Sequence, residues 1–173
     1  AILPQNYGLP WQRWPVMSGP EPVQAILNLY ADYALCLDER NFSAWPDFFA
    51  KECRYEVHTR ENWDLGMPSA MIYCDSHGMV EDRVSVLENT LTYRFLHIRH
   101  MISNIRVHDS DGGAHTVTAN YLVLHSTEEG ETRIFSTGKY DAEIVIDGNA
   151  AKFRKLIVIA DTSAIDNLLA VPL

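Results

Sequence analysis

The chain has 173 residues, 14 basic against 23 acidic, for a formal net charge of −9. At roughly 150 residues per domain this length predicts one domain with an ordinary core and no room for a separate cofactor module. Hydrophobic residues at 47% and charged residues at 21% exclude a disordered chain, and the acidic balance without a Lys/Arg cluster argues against nucleic acid or an anionic membrane as partner.

Residues 1–21 read as an extended arm. Pro4, Pro10, Pro15 and Pro20 break any helix, while Trp11 and Trp14 carry too much apolar area to stay in water. The arm is expected to dock on a neighbouring subunit or across its own domain. Residues 22–173 then read as a single domain. Val23, Ile26, Leu27, Tyr30, Ala34 and Leu37 recur at helical spacing. A second short helix is predicted over residues 41–50, beginning near Ser43 so that Pro46 falls in its first turn. Period two takes over at residues 53–59, a half-buried strand. A polar loop at 60–66 leads to a short strand at 70–74. Asp75 or Ser76 caps a third helix whose Met79, Val80, Arg83, Val84 and Leu87 share a face.

Sheet dominates from residue 101. Strands are predicted at 101–108, 116–126, 132–146 and 151–160, separated by turns at Asp109-Ser110-Asp111-Gly112-Gly113, Thr127-Glu128-Glu129-Gly130 and Asp147-Gly148. Gly138 suggests a bulge or bend in the third of these. Hairpins between long strands imply an antiparallel sheet, and helices first with a meander after is an α+β order. The expected architecture is a roll, with N-terminal helices packed on a strongly bent antiparallel sheet.

The chemistry is harder to place. Cys36, Cys53 and Cys74 are an odd number without a C-x-x-C pair, so a disulfide framework is not expected and a reducing cytoplasm is. The first residues lack the basic and apolar regions of a signal peptide, and no apolar run approaches 18 residues. Cys74-Asp75-Ser76-His77 matches half of a Rieske ligand set, but no Cys-x-His supplies the other half. His97 and His100, with Asp109 and Asp111 nearby, resemble a facial iron triad by composition only. On a strand, side chains three apart point to opposite faces. No nucleophile elbow or phosphate loop is present. A cavity lined by Tyr30, Asp38, Tyr55, His58 and His100 would suit a free-standing dehydratase or isomerase; a ligand-binding homodimer is a third reading.

One segment stands apart. Arg99-His100-Met101-Ile102-Ser103-Asn104-Ile105-Arg106-Val107 resembles the R-H-x-[IV]-[ST]-N-[IV]-R-V stretch of the small (β) subunits of Rieske-type aromatic-ring-hydroxylating dioxygenases. Tyr30 to Asp32, then Leu37-Asp38-Glu39-Arg40 with Phe42 and Trp45, and later Asp82-Arg83-Val84, resemble that family in order and spacing. Tyr55 through Arg60-Glu61-Asn62, then Gly66-Met67-Pro68, resembles subunits serving monocyclic aromatic acids, and the ending from Asp161 to Leu173 looks like the terephthalate- and salicylate-type systems.

The resemblance implies a cystatin-like roll with no catalytic residue, cofactor or metal of its own. It places a Rieske [2Fe-2S] cluster and a mononuclear Fe(II) in a large α subunit, within an α3β3 hexamer built on a β trimer. A reductase, with or without a ferredoxin, brings electrons from NAD(P)H, and O2 is inserted into an aromatic ring. Trp11, Trp14, Tyr93, Arg94, Arg99, His100 and Arg106 are the expected subunit-interface residues.

Overall fold

The computed structural model describes residues 22–90, 97–111, 113–148, 150–161 and 171–173. Helix α1 (Pro22–Asp38) turns Ile26, Leu29, Tyr30, Tyr33, Cys36 and Leu37 inward. The buried stripe is therefore rotated from the expected one. Val23 and Leu27 lie on an exposed side together with Leu35. The helix stops at Arg40, which takes a left-handed φ of 59° while the Asn41 amide bonds back to the Cys36 carbonyl at 2.9 Å.

Residues Phe42–Phe48 form a 3-10 helix rather than an α-helix. Pro46 supplies no N–H, and its carbonyl accepts instead from the Phe49 amide. Strand β1 (Phe49–Thr59) follows at once, four residues ahead of the predicted start. The expected polar loop contains a five-residue helix, α2 (Arg60–Asp64), whose Asn62 amide donates to Oγ1 of Thr59 at 3.2 Å. Strand β2 (Ile72–Cys74) and helix α3 (His77–Thr90) come next. Ser76 accepts from the Met79 amide, and Val80, Val84 and Leu87 face the core.

The long strands are β3 (His97–Asp111), β4 (Ala114–Ser126), β5 (Thr132–Asp147) and β6 (Ala150–Ala160). Their three hairpins form the expected meander. One six-stranded sheet results, in the order β2-β1-β6-β5-β4-β3. The β1–β6 pair is parallel, with Tyr55 beside Leu156 and Val57 beside Val158. It joins segments far apart in the chain, which no hairpin signal reports.

Bulges bend the sheet. In β3 the ladder slips between Ser103 and Arg106, with Asn104 at φ 53°. Asn tolerates the left-handed region better than most residues, which accounts for its place in the bulge. In β5 the extra residue is Phe135, so the bulge precedes Gly138 rather than falling on it. Gly138 answers a different need. A Cβ there would collide with the Ile159 carbonyl of β6 and lie 2.9 Å from Tyr121 Cε1.

The concave face of the sheet closes over α1, the 3-10 helix and α3. Its interior is filled by aromatic rings: Trp45 against Phe49 and Tyr55 at 5.2 Å between centroids, Tyr33 against Phe153 at 5.5 Å. Leu173 is buried among them. Tyr33 Oη donates to its carbonyl at 2.8 Å, and its amide donates to Tyr55 Oη at 3.1 Å.

Candidate functional site

Strand alternation sends Tyr55 and Val57 into the aromatic core and Arg54, Glu56 and His58 to the opposite, outer face of β1. There Glu56 and His58 are buried while Arg54 stays half-exposed. His58 Nε2 lies 2.6 Å from Glu56 Oε2, with both side chains buried. The Trp63 and His58 rings meet in a T-shaped contact, 5.3 Å between centroids. Arg54 binds the other oxygen of Glu56 through Nε and sits over the Tyr73 ring at 5.6 Å. Burial alone would raise the Glu56 pKa, but the hydrogen bonds from His58 and Arg54 outweigh it and hold the carboxyl below its ordinary range. These residues line an open groove of about 720 Å³, completed by Gly66, Met67 and Pro68. Nδ1 of His58 is buried and has no hydrogen-bond partner among the described residues.

A second polar pair lies at the far side of the sheet, with β6, β5 and β4 between β1 and β3. Asp38, at the end of α1, accepts from the His100 backbone amide at 2.9 Å and meets His100 Nδ1 at 2.8 Å through the same oxygen. Arg99 approaches its other oxygen at 3.6 Å. This pair ties the first helix to edge strand β3.

The five residues expected to converge in a cavity are thus divided. Tyr30 and Tyr55 belong to the aromatic core, Asp38 and His100 pair with each other, and His58 faces the outer groove. Burial raises the Tyr30 and Tyr55 hydroxyl pKa values well above their ordinary range. Among the expected interface residues, Arg99 is exposed, Arg106 is exposed beyond the bulge, and His100 is buried against Asp38. Trp11, Trp14, Tyr93 and Arg94 lie outside the described residues, as does the arm.

Glu56 escaped the sequence reading. Its signal was available, since Arg54, Glu56 and His58 occupy alternate positions of one strand. What concealed it was the adjoining helix: α2 is too polar and short to show an apolar stripe.

Tested as ligands for iron or an iron–sulfur cluster, the residues present do not fit. His97 is exposed while His100 points inward, so the two cannot share an ion. His77 Nε2 donates to the Pro46 carbonyl at 3.1 Å and Nδ1 meets Glu81 at 3.2 Å. Cys74 Sγ donates to the Met79 carbonyl at 3.8 Å. Among the described residues no three His, Cys, Asp or Glu side chains gather as a metal site.

Comparison with known proteins agrees with the motifs. The anthranilate 1,2-dioxygenase small subunit of Burkholderia cepacia is 32% identical over 137 residues, covering 79% of this chain and 85% of that protein. Subunit beta 2 of the terminal oxygenase component of terephthalate 1,2-dioxygenase, from a Comamonas species, is 31% identical over 144 residues, covering 83% and 93%. A crystal structure from Novosphingobium aromaticivorans, of a β subunit assigned to an aromatic-ring-hydroxylating dioxygenase, superposes with a TM-score of 0.78. It is 37% identical and covers 86% of this chain and 95% of that one. The family model described as "Ring hydroxylating beta subunit" matches residues 33–167, and the chain belongs to that family of ring-hydroxylating dioxygenase small subunits.

Proposed function

We propose that this chain is the non-catalytic, structural β subunit of a multicomponent Rieske non-haem iron oxygenase that hydroxylates a monocyclic aromatic acid. The cluster and the mononuclear iron reside in the large α subunit, and O2 and electrons from NAD(P)H, delivered by a reductase with or without a ferredoxin, complete the reaction. The chain's task is to hold α subunits in a fixed ring, as the base of an α3β3 hexamer in the cytoplasm. No helix among the described residues is long and apolar enough to cross a membrane.

The family match carries this reading. Surface chemistry supports it. Leu35 is 56% exposed on α1, where Val23 and Leu27 are exposed as well, and Ile134 is 67% exposed on the outer face of β5, across from Leu124. In that register Met101 and Leu122 continue the apolar strip beside Arg99. Large apolar side chains exposed on the helix and on the outer face of the sheet suit a protein that meets other subunits. The aromatic-acid branch is supported by the anthranilate and terephthalate relatives. The free-standing dehydratase is not favoured, because its five residues are split between a packed core and two separate pairs.

Iron analysis and turnover test the reading. The isolated chain should hold no stoichiometric iron, and ring hydroxylation should need both this chain and its large subunit. Stoichiometric iron in the isolated chain, or full activity of the large subunit alone, would overturn it.

A further inference from the structure

The sheet carries two exposed apolar surfaces with rims of opposite charge, one toward each edge. The first lies where α2 leads into β2, an edge strand. Leu65, Met67, Met71 and Tyr73 are all exposed, and Tyr73, in register with Glu56, faces outward. Glu61, Asp64 and Asp75 flank them, exposed and without a salt-bridge partner among the described residues. The two arginines beside them are already engaged, Arg54 by Glu56 and Arg60 by Asp161.

The second surface lies on the outer face of β3, β4 and β5, and β3 is the opposite edge strand. Arg99, Leu124 and Ile134 form one cross-strand row, and Met101 and Leu122 belong to the next. Arg106 stands farther along β3, exposed and without a salt-bridge partner among the described residues. Arg99 is largely exposed and its contact with Asp38 is long, at 3.6 Å. Asp141, which shares the row of Arg106 and Thr118, is the carboxylate nearest in register. Residues 97–108 hold both arginines and no acidic residue, in a chain of net charge −9.

An apolar centre with a charged rim is the build of a subunit contact. Opposite rims make each surface the complement of the other, whereas either one placed against its own copy would set like charges face to face. The two cannot meet within one chain. Five strand spacings separate β2 from β3, about 24 Å across the sheet. The complement is therefore on a second copy. A contact between two different surfaces leaves one of each unused at the ends of a pair, so it repeats until a ring closes.

We infer that copies of this chain associate head to tail, the acidic Leu65–Met67–Met71–Tyr73 surface of one seated on the basic Arg99–Met101–Ile134 strip of the next, three such contacts closing a ring. The ring size rests on the β-subunit reading above; the pairing of the two surfaces rests on their exposure and charge.

Charge reversal tests the pairing in the isolated full chain, by native mass spectrometry and sedimentation. The parent should run as a closed ring of three. Glu61→Lys with Asp64→Lys reverses one rim, and Arg99→Glu with Arg106→Glu reverses the other. Each double variant should associate at least tenfold more weakly while keeping the circular dichroism spectrum of the parent. The chain carrying all four substitutions has the two signs exchanged and should form the ring again, which separates a lost contact from a lost fold. A parent that stays monomeric or stops at a dimer would overturn the head-to-tail contact, even where a complex with the large subunit assembles. Double variants that associate like the parent, or a fourfold variant no better than they are, would overturn the pairing of these surfaces. A ring that forms as expected yet binds no large subunit would uphold the pairing and refute the β-subunit reading.

Discussion

Gly138→Ala adds one methyl group at the point where β5 approaches β6 most closely. The new Cβ would collide with the backbone carbonyl of Ile159 and stand 2.9 Å from Tyr121 Cε1. Tyr121 stacks on Tyr140 at 4.9 Å, and Ile159 is fully buried in a ladder that pairs on both sides, with Lys139 and with His58. Neither neighbour is the free end of a flexible side chain. The strain therefore belongs at the upper end of overpacking costs, about 3 kcal/mol. For a chain of this size, each kcal/mol shifts the melting temperature by roughly 2–4 °C, so the variant should melt about 6–12 °C lower. Gly130→Ala is the control. Gly130 has a φ of +88° but open space around it, so only backbone strain of about 1 kcal/mol applies. Thermal melts followed by circular dichroism compare the two. A Gly138→Ala protein melting within 2 °C of the parent (about the effect of 0.5–1 kcal/mol), or no lower than Gly130→Ala, would refute the close-approach argument.

Three further outcomes follow from the polar groups. Asp38→Ala deprives the His100 amide and ring of their shared acceptor and should cost about 3 kcal/mol in urea unfolding, with Asp38→Asn milder; a loss under about 1 kcal/mol would show that the pair does not clamp α1 to β3. Glu56 has a folded pKa below its unfolded value of about 4.3, so its contribution is present above that pH and lost as pH falls through the folded value. The stability gap between the parent and Glu56→Gln should accordingly shrink on acidification below about pH 4, and a gap constant with pH would contradict the assignment. Burial pushes the Cys36 and Cys53 thiols up to about 11 and also raises Cys74, so a disulfide reagent at about pH 8 should label them only after unfolding. A fast-reacting native thiol would contradict that packing.

The sequence made the roll's order visible where signals are local. Turn residues between long alternating strands marked the β3–β4–β5–β6 meander, and helical spacing marked α1 and α3. What it concealed was non-local or small. The parallel β1–β6 pairing joins segments separated by most of the chain and leaves no turn signature. Asn104 stood inside the segment that most resembles the family, yet its left-handed conformation shows only when the β3–β4 register is laid out. Gly138 suggested a bulge because glycine in a strand permits one; its actual constraint is the neighbouring strand's carbonyl. In the candidate site, the opposite facing of His97 and His100 followed from strand geometry, whereas the Glu56–His58 pair needed the position of Trp63 on a five-residue helix. Asp38 and His100 were both singled out by sequence, but their contact depends on how α1 lies across the sheet.

Assembly tests the central claim most directly. Native mass measurement of this chain co-expressed with its large subunit should show an equimolar complex, with three copies of each. The account is contradicted if the two proteins run separately and this chain stays a monomer in the presence of its large subunit.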